Sequence, residues 1–118
     1  MKGALLFLLL ALSLPNSFAT EKPMQNGSIV VLPVSGPVSE VQFFFLRRVL
    51  KNAESADAAA LILDIDTPGG DLKSTEKIVQ MLGKSPIPTY TYVNSNAGSA
   101  GALIALGTKK IFMSPVSA

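Results

Sequence analysis

Apolar and polar positions change rhythm several times along the chain, and each change marks an element. The chain opens on an almost unbroken apolar run, Ala4 to Leu14, preceded by Lys2 and ended by Pro15. A positive start, roughly 7–15 apolar residues and a small-x-small exit, here Ser17-Phe18-Ala19, describe a secretory signal peptide cleaved after Ala19. A membrane anchor needs roughly 20 apolar residues, which this run does not supply. Residues 1–19 are therefore expected to be removed on export. Residues 20–28, polar with Pro23 and Gly27, form a leader segment, and the folded domain is expected over 29–118.

Ile29 to Leu32 is a short β-branched run closed by the turn residues Pro33, Ser35, Gly36 and Pro37. Ser39 and Gln42 have capping-box spacing, and Val38 and Phe43 stand as a hydrophobic staple around them. In the helix that follows, Val41, Phe44, Phe45, Val49 and Ala53 recur at helical spacing and predict an inward stripe, leaving Arg47, Arg48 and Lys51 to water. Ala58 to Ile65 is apolar except for Asp64; without alternation, both faces of this strand are expected to be covered, as in a parallel sheet. After Asp66-Thr67-Pro68-Gly69-Gly70 comes a second amphipathic helix with Leu72, Thr75, Ile78, Val79 and Leu82 on one side. Gly83 is expected as its left-handed cap, with Pro86 just beyond. Pro88 to Val93 has strand composition, Asn94 to Gly98 reads as a loop, Ala100 to Leu106 as a short buried helix and Lys110 to Met113 as a strand. Strands alternating with helices predict a layered α/β domain with right-handed crossovers. The final strand has only just been entered when the sequence stops, so a fragment of a longer protein is expected.

Composition narrows the chemistry. At 118 residues the chain holds one small domain, and 48% hydrophobic against 15% charged residues excludes a disordered tail. Ten basic and 8 acidic residues give +2 with no charged block, so nucleic acid is not an expected partner. There is no cysteine and no histidine, which excludes disulfides, thiolate nucleophiles, Ser-His catalysis and most transition-metal sites within these residues; no metal site is expected. Hydroxyls, carboxylates, lysines and backbone amides remain.

Two loops follow strands, where ligands of open α/β sheets gather. Asp66-Thr67-Pro68-Gly69-Gly70 can turn sharply and present amides without a Cβ in the way, or it can be a plain strand-to-helix turn in which Asp66 or Asp71 merely caps. Asn94-Ser95-Asn96-Ala97-Gly98-Ser99-Ala100-Gly101 sets Ser99 at the entrance of a helix of small residues. A hydroxyl followed by an outward amide, that of Ala100, is half of an acyl-transfer site. The plainer alternative makes Ser99 an N-cap. It is not the G-x-S-x-G elbow, since position 97 is alanine, and Ser95 competes as a nucleophile on the same loop. A right-handed βαβ unit brings both loops to one sheet edge, so that Gly70 and Ala100 can each aim an amide at a carbonyl attacked by Ser99.

LILDIDTPGG, from Leu61, with PTYTYVNSNAGSAGALIALGTKKIFMSPVSA, to Ala118, resembles the ClpP/crotonase superfamily, and within it the NfeD-type membrane-bound serine proteases, the stomatin operon partner proteins. The stretch from Ile29 to Ala60 matches more weakly. Gly98 departs from the alanine more usual before the serine. SppA-type signal peptide peptidases share the turn but carry a loop closer to A-A-S-G-G. The resemblance implies a ClpP/crotonase-like layered ββα-type domain, incomplete at its C-terminus, and an exported, membrane-associated serine endopeptidase with a Ser-Lys dyad. Ser99 matches the nucleophile, Gly70 and Ala100 the oxyanion-hole amides, and Gly69, Gly70 and Gly98 the substrate-binding backbone. The family's lysine base would fall beyond Ala118; Lys73, Lys77, Lys109 and Lys110 are poor substitutes. The implied substrate is an apolar segment of a membrane-associated protein such as a stomatin-like partner. No cofactor is implied, a homo-oligomer is expected, and the membrane is reached through the region after Ala118. A non-catalytic binding or assembly module of the same fold, or an SppA-type peptidase, are the alternatives. Acyl-CoA chemistry is disfavoured by export.

Overall fold

A computed structural model describes residues 23–118; the expected signal peptide, and the leader up to residue 22, lie outside the described residues. The elements run β1 (Ile29–Ser35), α1 (Glu40–Ser55), β2 (Ala60–Thr67), α2 (Leu72–Gly83), β3 (Thr89–Ala97), α3 (Ala100–Leu106) and β4 (Lys110–Met113). All the strands are parallel and stand in the order β1-β2-β3-β4. The end of the leader is tied down, since Gly27 N donates to Asp57 O at 2.9 Å and Ala59 N to Ser28 O at 2.8 Å.

Sequential strands joined by crossovers of one hand place every helix on the same side of the sheet. Leu32 and Val34 of β1, Leu61, Leu63 and Ile65 of β2, and Thr89, Thr91 and Val93 of β3 point to that side and are buried. Phe43, Leu46 and Leu50 of α1, Ile78 and Leu82 of α2, and Ile104 of α3 close over them. Each such aliphatic or aromatic side chain removed from water contributes about 1.5–3 kcal/mol.

Among the described residues the opposite face is open, contrary to the expectation drawn from the unbroken apolar run of β2. Val31 is 58% and Phe112 55% exposed, and with Ile62, Asp64, Tyr90 and Tyr92 they line a hollow of about 490 Å³. An apolar run shows that both faces of a strand tolerate burial. It does not show that the chain provides both covers.

The capping at Ser39 is as expected on one side only. Its hydroxyl accepts from Gln42 N at 3.3 Å, while the Gln42 amide turns away to donate to Ser35 O at 3.2 Å instead of closing the box. The inward stripe of α1 differs from the predicted one: Phe43, Leu46, Leu50 and Ala53 are buried, whereas Val41, Phe44 and Phe45 face outward. Two apolar stripes of similar strength share this helix. The staple residues Val38 and Phe43, both buried, set the one that turns inward.

On α2, Thr75, Ile78 and Leu82 are buried as expected, with Ser74 beside them, but Leu72 is exposed. Gly83 is the last helical residue and not a left-handed cap; Lys84 follows with φ −97°. β3 continues through the predicted loop to Ala97, which pairs with Thr67 of β2; on its other side Ala118 N donates to Ser95 O at 2.9 Å and Ala97 N to Ala118 O at 2.8 Å. α3 and β4 have the bounds expected of them.

Candidate active site

The carboxyl ends of β1, β2 and β3 converge, and main-chain hydrogen bonds lock their exits together. Val38, after β1, donates to Gly69 O at 2.8 Å and accepts from Asp71 N at 2.9 Å, forming a parallel bridge with Gly70. Any Cβ on Gly70 would run into the Val38 backbone, so only glycine permits this approach. Between β2 and β3 the register shifts after Ile65, pairing Thr67 with Ala97. Gly98 N then donates to Thr67 O at 2.9 Å, which draws the serine loop over the diglycine turn.

Thr67, not singled out in the sequence, is the junction of the site. Fully buried, its hydroxyl donates to Gly36 O at 2.6 Å and accepts from Gly69 N at 3.1 Å, joining the β1 exit to the diglycine. Its methyl lies where a side chain on Gly101 of α3 would have to go. The available signal was a β-branched hydroxyl residue at a strand end, directly before Pro-Gly-Gly.

Gly69 has φ +111°, a conformation side chains rarely adopt, and sits against the serine. A Cβ there would be 2.9 Å from the Ser99 Cβ, 3.1 Å from Gly98 O and 3.2 Å from Ala100 N. Ser99 itself has φ +47° and ψ −111°, outside the ordinary basins of an L-residue. It is exposed and occupies the N-cap position of α3, but its side chain makes no capping hydrogen bond. Its carbonyl starts α3 by accepting from Ala102 N at 3.0 Å. A strained backbone at a strand-to-helix turn holds a hydroxyl outward; such strain clusters at functional sites. Ser95 lies earlier, within β3 and also exposed, and its carbonyl is committed to the chain end.

The Gly70 and Ala100 amides donate to no acceptor among the described residues. Gly70 is exposed and Ala100 buried. An outward hydroxyl with two uncommitted amides on neighbouring loops can receive a carbonyl. Asp71 is the cap of α2: its carboxylate accepts from Ser74 N at 2.7 Å and from the Ser74 hydroxyl at 2.5 Å. Those two donors hold its pKa below the usual carboxylate range. Asp66 is exposed, and its carbonyl accepts from Gly36 N.

No lysine among the described residues is buried, and Lys77, the least exposed, pairs with Glu40 at 3.2 Å. Lys73, Lys109 and Lys110 are exposed. Groups of His, Cys, Asp and Glu able to hold a metal do not occur among the described residues.

A parallel sheet with its helices on one side and glycine-rich turns gathered at its carboxyl edge defines a domain of the ClpP/crotonase fold. The same fold is seen in a Listeria monocytogenes ClpP1 variant (18% identity, TM-score 0.64, covering 66% of this chain and 46% of that one). An enoyl-CoA hydratase/isomerase family protein from Silicibacter pomeroyi shares it too (20%, TM-score 0.65, 79% and 49%). Within this fold the chain belongs to the NfeD1b family, whose N-terminal domain matches residues 28–118.

The membrane protein NfeD1b of Bacillus subtilis is 42% identical over 91 residues, which cover 77% of this chain and 21% of that protein. The membrane-bound protease PH1510 of Pyrococcus horikoshii is 36% identical over 101 residues, covering 83% and 23%. The solved 1510-N membrane protease of that organism, specific for a stomatin homolog, superposes with TM-score 0.72 at 34% identity, covering 79% of this chain and 48% of that one. A lysine-to-alanine variant of 1510-N has been solved with a substrate peptide. The chain thus spans less than a quarter of these curated relatives. Relatives of this chain are membrane proteins by name, while no described helix is long and apolar enough to cross a bilayer.

Proposed function

We propose that the chain is the nucleophile-bearing part of an exported, membrane-associated serine endopeptidase working through a Ser-Lys dyad. Ser99 is the nucleophile, the Gly70 and Ala100 amides are the oxyanion donors, and the backbone of Gly69, Gly70 and Gly98 receives the substrate strand. The observation that carries the reading is the Ser99 backbone at φ +47°, packed against Gly69 with its side chain exposed and making no capping hydrogen bond. The uncommitted amides and the kinship with a membrane-bound protease support it.

The chemistry runs as follows. A neutral lysine from outside the described residues, its pKa lowered by burial, takes the Ser99 proton. The alkoxide attacks the peptide carbonyl, and the amides stabilise the tetrahedral oxyanion, each worth about 2.7–4 kcal/mol in such sites. The lysine returns the proton to the leaving amine, and water hydrolyses the acyl-enzyme. A substrate segment adds beside the Val38–Gly70 bridge by main-chain pairing. Since a 1510-N relative is specific for a stomatin homolog, the proposed substrate is an apolar segment of a stomatin-like membrane protein, cut by a homo-oligomer.

The test is covalent capture by a fluorophosphonate, mapped by mass spectrometry, on the full-length protein. Adduct is expected at Ser99 and absent in Ser99→Ala. Labelling or peptidase activity that survives Ser99→Ala, or is lost only in Ser95→Ala, overturns the assignment. The exposed lysines among the described residues favour a second reading, a binding module of the same fold. That reading predicts no adduct and unaltered peptide binding in Ser99→Ala.

A further inference from the structure

The outward face of α1 has the wrong composition for a helix meant only for water. Val41 is 79%, Phe44 48% and Phe45 51% exposed, and the cations that follow them on the helix, Arg47, Arg48 and Lys51, are all exposed. Phe44, Phe45 and the three cations line one shallow hollow of about 550 Å³ with Asn52. The Arg47 guanidinium lies over the Phe43 and Phe44 rings, its Cζ 5.8 and 5.3 Å from their centroids, so cationic and aromatic surface are joined on this face. The acids nearby are outnumbered: Glu40, one turn before Phe44, is engaged by Lys77 at 3.2 Å, and Glu54 is the single acid lining a hollow with Arg47, Lys51 and Lys84. None of the three cations is ion-paired with a described residue.

A partner for this face has to be apolar and anionic at once. Rings and a valine on one side of a helix, flanked by arginine and lysine, suit the plane of a bilayer interface, where the rings enter the acyl boundary and the cations meet headgroups. We infer that the outer face of α1 docks on an anionic lipid surface. The helix, 16 residues and about 24 Å long, lies flat on the surface. Its apolar end starts directly after Ser39 and Val38, so docking brings the Val38–Gly70 rim to the membrane. This inference does not depend on the chemistry of Ser99.

The chain contains no tryptophan, so Phe45→Trp makes a single reporter, with Phe44→Trp as a second should the first fail to fold. Leu106→Trp, on α3 and 71% exposed, is the control elsewhere on the surface. With phosphatidylglycerol vesicles carrying brominated acyl chains, Trp fluorescence should be quenched several-fold more at 45 than at 106. Phosphatidylcholine vesicles should fail to quench. Adding Arg48→Glu and Lys51→Glu should weaken partitioning by about tenfold or more, and raised salt should do the same. Equal quenching at both positions would mean tethering by the apolar N-terminal run alone and would overturn the inference. So would a blue shift at 45 without lipid that grows with protein concentration, the mark of a second copy on this face. Partitioning unchanged by the charge reversals would overturn it equally.

Discussion

Gly69 lies against Ser99: a Cβ on the glycine would stand 2.9 Å from the Cβ of the serine. The two residues belong to different loops, and their contact is possible only because one has no side chain. Gly69→Ala should therefore push the serine loop away and strain a backbone at φ +111°. The expected cost is about 1–3 kcal/mol of stability. Displacement of a reacting group by about 1 Å can lower its reactivity about 10²-fold. Urea unfolding and the rate of fluorophosphonate capture measure the two effects; capture at the wild-type rate would sink the proposed role of this contact.

Ser99 holds strain that glycine would release. A side chain at φ +47° and ψ −111° costs about 1–3 kcal/mol, and glycine returns only about 0.4–1 kcal/mol of that through the unfolded chain. Ser99→Gly should be more stable than Ser99→Ala by roughly 1 kcal/mol on those figures, although both lack the hydroxyl. Denaturant midpoints of the two variants decide it. An alanine variant as stable as the glycine variant would show that the turn carries no strain.

Thr67 holds the β1 exit and the diglycine turn through one hydroxyl. Thr67→Val keeps the shape but strands the Gly69 amide and the Gly36 carbonyl, with an expected loss of about 1–3 kcal/mol. Thr67→Ser keeps the donor and should recover most of that loss. Equal stability of Val and Ser at this position would contradict the hydrogen-bonding account.

Asp71 links the start of α2 to pH. Because the Ser74 donors lower its pKa in the folded state, its contribution is fully present above the unfolded carboxylate pKa. It is lost as pH falls through the lower folded value. Asp71→Asn removes this titration. The stability difference between wild type and Asp71→Asn should therefore shrink in acid, below the usual carboxylate range, and stay constant at neutral pH. Paired unfolding curves across that range would show it, and a difference independent of pH would refute it.

Gly101→Ala would aim a methyl at the Thr67 methyl, 2.6 Å from the new Cβ, and should cost about 1–3 kcal/mol. Pairing it with Thr67→Ser, which opens that space, should restore part of the loss. Additive losses in the double variant would place the clash elsewhere.

The order of strands and helices, the bounds of α3 and β4, and the loops that meet at the sheet edge were all legible in the linear chain. They rest on local causes: a β-branched run, a capping serine, a glycine pair, a run of small residues. Ser39 and Asp71 cap their helices for reasons contained within a few residues. Which stripe of α1 turns inward was not local, because Phe43-Leu46-Leu50 and Val41-Phe44-Phe45 are both apolar. Only packing of Val38 and Phe43 into the sheet layer chose between them. The open face of β2 and the extension of β3 to Ala97 likewise depended on which segments came to lie alongside, through contacts distant in sequence. The backbone of Ser99 belongs to the same class. A serine before a helix looks like a cap until Gly98 is drawn to Thr67 and Gly69 fills the space beneath, and only that meeting of separate loops holds the hydroxyl outward.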